Sequence, residues 1–206
     1  MALLMTNYYY SKNPDIKHDE QTWDFELLGN NFTFVTDNGV FSKRTVDFGS
    51  RLLIENFKIN EQIKGDILDV GCGYGPIGLS IAKKYPQYHV DMVDVNELAL
   101  ALAQKNAQKN NVINVSIQTS DIYQQVKKND YAVIISNPPI RAGKKVVHLI
   151  LEEAYTHLQK NGKIIIVIQK KQGAPSAKKK LEEVFGNCTV IAKEKGYFIL
   201  ESTKES

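Results

Sequence analysis

The rhythm of the chain changes near residue 66. Before that point apolar and polar positions alternate, with Phe25, Leu27, Phe32 and Phe34 set around Gly29-Asn30-Asn31. That pattern predicts a β-hairpin over residues 24–36. Asp37-Asn38-Gly39 then marks a turn. Phe48, Leu52, Leu53 and Phe57 fall at helical spacing, which predicts a helix from Asp47 to Phe57. Trp23 stands just before the hairpin, as a core or cover residue.

Beyond residue 66, short apolar runs alternate with longer amphipathic stretches. The runs predict strands over 67–70, 90–95, 112–118, 131–136 and 162–168. The stretches predict helices over 76–85, 97–110, 145–159 and 177–185, with Asn96 capping the second. Residues 188–192 and 196–200 pair as a closing hairpin. Such alternation predicts an α/β fold: a Rossmann-like, doubly wound, seven-stranded sheet, mostly parallel with a C-terminal antiparallel hairpin, plus a small N-terminal β-hairpin extension. Ligands of such sheets bind at the carboxyl ends of the strands.

Length adds that 206 residues fit one domain. Residues 1–60 form the extension and 61–206 the catalytic core. A net charge of +3 is too small for a bulk argument about nucleic acid, so the placement of charge has to carry one. The two cysteines, Cys72 and Cys188, form no Cys/His cluster, so no zinc site is expected. Isolated cysteines fit a reducing compartment. Met1–Tyr10 lacks a charged start and a long apolar run, so no signal peptide is read there. No stretch approaches the roughly 20 apolar residues of a membrane span. A cytoplasmic monomer is expected, with no membrane or metal partner.

Two motifs carry the chemistry. The first is Asp69-Val70-Gly71-Cys72-Gly73-Tyr74-Gly75, placed between a strand and a helix. Glycines at Gly71, Gly73 and Gly75 let backbone approach a ligand. Gly73 to Gly78 also satisfies the dinucleotide fingerprint, a weak signal. Asp69 is placed to face an ammonium group and would repel a pyrophosphate. Asp94 closes the next strand, where a carboxylate can accept from two ribose hydroxyls. Asp121, with Ile122 beside it, lies past the third strand within reach of an adenine amino group. The Asp94 role fits both NAD and S-adenosylmethionine, and Asp69 favours the latter.

The second motif is Asn137-Pro138-Pro139, which ends an apolar strand abruptly. Two prolines make a stiff corner. The Asn137 amide oxygen and the Pro138 carbonyl can grip the two N–H bonds of a planar amine and aim its lone pair at a sulfonium methyl.

With these residues in place, the chain resembles the class I S-adenosylmethionine-dependent methyltransferases, and most closely the small-subunit ribosomal RNA guanine-N2 methyltransferase family in a short single-domain form. Thr36–Ser42, Asp47–Leu53 and Asn137–Lys144 carry the closer match. The resemblance implies that Asp69, Gly71 and Gly73 hold the methionine part of the cofactor, Asp94 its ribose and Asp121 its adenine. It implies that Phe41 and Ser42 line the mouth, and that Asn137 and Pro138 grip the target amine. Many relatives carry Tyr or Phe after the two prolines; here the residue is Ile140. An aromatic elsewhere would have to hold the base, or base holding is weaker.

The resemblance implies ribosomal RNA or the small ribosomal subunit as partner, and charge placement suits a phosphate backbone. Arg141, Lys144 and Lys145 follow one strand, and Lys170 and Lys171 its neighbour, forming a basic rim. Arg141 is placed to read guanine O6. Lys178–Lys180 are read at the start of a helix, as rim or as solvated face. His148 is read as packing or rim. Three other functions are weighed: methylation of protein glutamine, an NAD-dependent oxidoreductase, and a non-catalytic RNA-binding module that keeps a cofactor pocket.

Overall fold

The computed structural model describes residues 18–205 except 41 and 43. The reading of Met1–Tyr10 and the placement of Phe41 lie outside these residues. The chain opens with an antiparallel pair, β1 (Gln21–Leu27) and β2 (Asn30–Thr36). Leu28 and Gly29 both take positive φ, 53° and 76°, so they form the two-residue turn that matches strand twist. Trp23 lies inside β1 rather than before it, and its indole N–H donates to Thr36 Oγ1 at 3.0 Å.

Helix α1 (Phe48–Asn56) follows. Then come β3 (Ile67–Val70), α2 (Pro76–Lys84), β4 (Val90–Asp94), α3 (Glu97–Lys109), β5 (Val115–Thr119) and β6 (Tyr131–Ser136). The last elements are α4 (Lys144–His157), β7 (Leu158–Gln169), α5 (Ala174–Phe185), β8 (Thr189–Glu194) and β9 (Tyr197–Thr203). The seven-stranded sheet has the order β5-β4-β3-β6-β7-β9-β8. The first five strands are parallel and the last two antiparallel, as the sequence predicts.

Several boundaries differ from expectation for local reasons. Strand β5 starts at Val115, because Asn114 turns its amide to the Ala82 and Tyr88 carbonyls. Helix α5 starts at Ala174 because Gly173, at φ 119°, turns the chain and a proline sits in the first helical turn. Lys178–Lys180 therefore sit mid-helix. Lys178 and Lys179 pair with Glu182 and Glu183, and Lys180 with Glu183 and Glu152. They form a solvated face. His148 links α4 to α5 through Ser176 Oγ at 3.0 Å.

Two apolar clusters cover the two faces of the sheet. One gathers the hairpin and α1–α3, the other α4 and α5. Tall β-branched and aliphatic side chains such as Ile67, Ile134 and Ile165 are fully buried between the layers. The edge of β2 docks on α3 through two side-chain amides one turn apart. Asn106 Oδ1 accepts from Val35 N–H at 2.7 Å while its Nδ2 donates to Val35 O at 3.0 Å. Asn110 makes the same exchange with Thr33, at 2.8 and 2.9 Å. These amides continue the ladder where no strand stands, and so satisfy backbone groups that burial would otherwise penalise. Asn106 also donates to Tyr74 O at 2.9 Å, tying the hairpin to the turn after β3.

Candidate active site

A cleft of about 410 Å³ opens where β3, β4 and β6 end. That volume suits a small organic ligand. Its floor is the turn after β3. Gly71 and Gly73 line it with φ of 75° and 58°, and a Cβ on either would meet nothing within 4 Å. The floor is therefore bare backbone, a cradle that side chains would fill. Gly75 is needed for another reason: its φ is 98°, and a Cβ there would come within 2.9 Å of Leu79 Cδ1. It begins α2 without joining the cleft wall.

Asp94 stands in the wall at the end of β4. Its Oδ2 accepts from Gly73 N–H at 2.8 Å and its Oδ1 from Asn96 N–H at 2.9 Å. Burial raises its pKa, and the backbone hydrogen bonds oppose that. These backbone N–H groups fix the carboxylate at the end of β4, beside the cleft. The residues thus fit S-adenosylmethionine: bare backbone for the amino-acid end, a fixed acceptor for the ribose, and Ser120 and Ile122 beside the base end.

Asp69 is placed differently from expectation. It is fully buried and lies under the turn, outside the described cleft wall. Its Oδ2 accepts from Gly78 N–H at 2.9 Å, and its Oδ1 has no hydrogen-bond partner. Burial pushes its pKa up to about 7; the Gly78 bond opposes this and the Asp94 charge adds to it. Asp121 also stands just off the wall, and its N–H donates to Gln125 Oε1 at 2.9 Å. Ser42 turns its hydroxyl to Thr45 O at 2.5 Å, away from the wall. Cys72 does line the cleft, but burial raises its thiol pKa well above the usual range, so it is no nucleophile.

The other half of the cleft is built around the corner after β6. Asn137, Pro138, Pro139, Ile140 and Arg141 all reach it. Asn137 Nδ2 donates to Ser50 Oγ at 3.0 Å and to Asp47 Oδ1 at 3.3 Å. An ionised carboxylate only accepts, so the amide nitrogen must be the atom facing Asp47. The amide oxygen is thereby left for a donor in the cleft. Asp47 Oδ1 also accepts from Ser50 N–H at 3.1 Å and so caps α1.

Of the basic residues, Arg141 lines the cleft. Lys144 opens α4 and is exposed. Lys170 and Lys171 are exposed in a 3-10 turn after β7, whose third residue, Gln172, reaches the wall. Asp47, Ser50, Gln172 and Tyr197 are wall residues that reasoning from sequence did not assign. A helix N-cap could have flagged Asp47; Ser50 and Tyr197 carry no local signal. Among the described residues no group of three or more His, Cys, Asp or Glu could hold a metal ion, and no helix is long and apolar enough to cross a membrane.

Known proteins share this fold and much of this sequence. The family model described as "Methyltransferase small domain" matches residues 31–201. "Uncharacterized protein YbxB" of Bacillus subtilis is 52% identical over 97% of this chain and 100% of its own length. "Ribosomal RNA small subunit methyltransferase C" of Aliivibrio fischeri is 32% identical over 90% of this chain but only 55% of its own length. The chain thus spans about half the length of those methyltransferase relatives. Among solved structures, the T. Thermophilus "16S rRNA N2 G1207 methyltransferase (RsmC) in complex with AdoMet and Guanosine" superposes with a TM-score of 0.81 at 25% identity, covering 93% of this chain and 52% of that one.

Proposed function

The chain belongs to the methyltransferase small domain family and is a class I S-adenosylmethionine-dependent methyltransferase; from that premise we propose that it methylates the exocyclic N2 amine of a guanine in small-subunit ribosomal RNA. The observation that carries this reading is the fixed orientation of Asn137. With its nitrogen held by Asp47 and Ser50, its oxygen is free to accept an N–H from a planar amine.

The cofactor supplies an electrophilic methyl on sulfur. Asp94 and the glycine floor would hold it in the same cleft as the corner. Asn137 Oδ1 and the Pro138 carbonyl take the two N–H bonds of the amine, which localises a lone pair otherwise spread into the ring. The nitrogen attacks in line, the new C–N bond forms as C–S breaks, and one N–H proton leaves to water. Preorganised acceptors supply the rate, and no strong base is needed. Arg141 faces the cleft, where a guanine offers an O6 acceptor and adenine a donor. Lys144, Lys170 and Lys171 stand outside it for backbone phosphates.

The test is to incubate the protein with labelled S-adenosylmethionine and small ribosomal subunits from cells lacking it, then digest the RNA and identify the product. N2-methylguanosine that disappears with Asn137→Ala supports the proposal. Label in protein moves the acceptor to a glutamine amide, and label in neither overturns methylation of the ribosome.

A further inference from the structure

A corner that grips an amine by its edge leaves the flat faces of the base unsupported. Ile140 does not supply a ring, and it packs against the cluster under α4 and α5. Among the described wall residues two aromatic rings remain, Tyr74 and Tyr197. Tyr74 is only 4% exposed, donates its hydroxyl to Thr45 O and meets Phe34 and Trp23 edge-on at 5.6 and 6.2 Å. Its ring is committed to the core.

Tyr197 is placed otherwise. It opens β9 opposite Gln169, the last residue of β7, and so stands at the same sheet edge as Asn137. It is half-buried and faces the cleft. One side of the ring rests on Phe48 at 5.4 Å between centroids, tilted by 51°. A Cβ on Gly49 would lie 3.0 Å from Tyr197 Cε1, so a glycine there lets the ring close against α1. The first turn of α1 therefore serves two neighbours: Asp47 and Ser50 hold the Asn137 amide, while Phe48 and Gly49 back the Tyr197 ring.

The surroundings suit an anionic strand. The Arg51 guanidinium lies 5.6 Å from the Phe48 centroid and 5.7 Å from that of Phe25. Its Nε is buried with no hydrogen-bond partner, and among the described residues it has no salt-bridge partner. A cation fixed between two rings, with its charge unspent, is complementary to a phosphate.

We propose that Tyr197 is the platform on which the base stacks when its amine enters the Asn-Pro-Pro corner. This rests on the ribosomal RNA reading and adds a substrate-positioning residue to it. Stacking accepts any base, so Tyr197 contributes affinity and aim while the corner selects the amine.

The experiment compares wild type, Tyr197→Phe and Tyr197→Leu. Methylation of small ribosomal subunits is measured alongside fluorescence of a short RNA carrying 2-aminopurine, whose amine occupies the guanine N2 position, added with S-adenosylhomocysteine. The phenylalanine variant should match wild type in both. The leucine variant should raise KM for the subunit roughly 5- to 150-fold and lose the stacking quench, with its thermal shift on cofactor binding unchanged. If wild type methylates RNA and quenches the probe while the leucine variant equals it, the platform is overturned alone. If wild type leaves ribosomal RNA unmethylated, the function proposed above falls and the platform with it. A leucine variant that loses the cofactor shift has failed to fold; the phenylalanine variant then decides, and its loss of quench overturns a stacking role.

Discussion

The two halves of the cleft are built by different means. The cofactor half is contiguous and made largely of backbone: Val70 to Tyr74 and Asp94 to Asn96 supply most of it, all from two strand ends. The substrate half is assembled from residues far apart, Asp47, Ser50, Asn137, Arg141, Gln172 and Tyr197. A contiguous site survives as long as one turn keeps its shape. A dispersed site depends on the docking of the hairpin and α1 onto the core, which the Asn106 and Asn110 amides help to fix. The halves should therefore fail separately.

On the proposed function, Asn137→Ala removes the acceptor that grips the amine. We expect turnover to fall about 10²- to 10³-fold, with cofactor affinity by calorimetry unmoved. A parallel loss of cofactor affinity would break the division between the halves.

Asp69→Asn tests the cofactor side through stability. The buried carboxyl has a pKa of about 7 in the fold and about 3.9 in an unfolded chain. Its raised value stabilises the fold in full below the unfolded value, and this contribution is lost as pH rises through 7. The asparagine variant should gain on wild type between pH 4 and 8, by up to about 4 kcal/mol from about 1.4 kcal/mol per unit. Urea unfolding across that range reads it, and a constant difference would contradict it.

On the proposed function, Asp94→Ala strips an acceptor from the ribose; it also leaves the Gly73 and Asn96 N–H groups unpaired. Cofactor affinity should drop roughly 10- to 100-fold, while turnover at saturating cofactor stays within a few-fold. Ser50→Ala should do the converse: about a 10-fold loss of kcat from a looser Asn137, with cofactor affinity and KM intact. Lys170→Ala with Lys171→Ala should be mildest, flattening the salt dependence of RNA binding by about 1.4 in log–log slope, at about 0.7 per phosphate. An unchanged slope would remove both lysines from the interface.

The same division governs what the sequence reveals. The sheet, its parallel order and its antiparallel end follow from apolar runs such as Ile67–Val70 and from the closing hairpin. That the glycine turn and Asp94 share one cleft is legible because they lie within one βαβ unit. The placement of Asp69 is less legible: a strand-end acid reads as facing the ligand, while β3 turns its side chain under α2, onto Gly78 N–H. The sequence places Asn137 at the strand end but not what orients it, since Ser50 lies 87 positions away. Tyr197 was illegible for the same reason. Its neighbours Phe48 and Gly49 come from the other end of the chain.

Asp47 Oδ1 both starts α1 and takes the Asn137 amide. One atom thus makes a remote piece of folding a condition of chemistry. A molecule whose helix begins one residue late lets go of the amide at the same moment. On the proposed function it becomes idle instead of indiscriminate: it can still hold its methyl donor, but no longer aims a nucleophile at it. For a protein whose reagent would react with many amines, that interlock guards against wasted cofactor and against marks written in the wrong place.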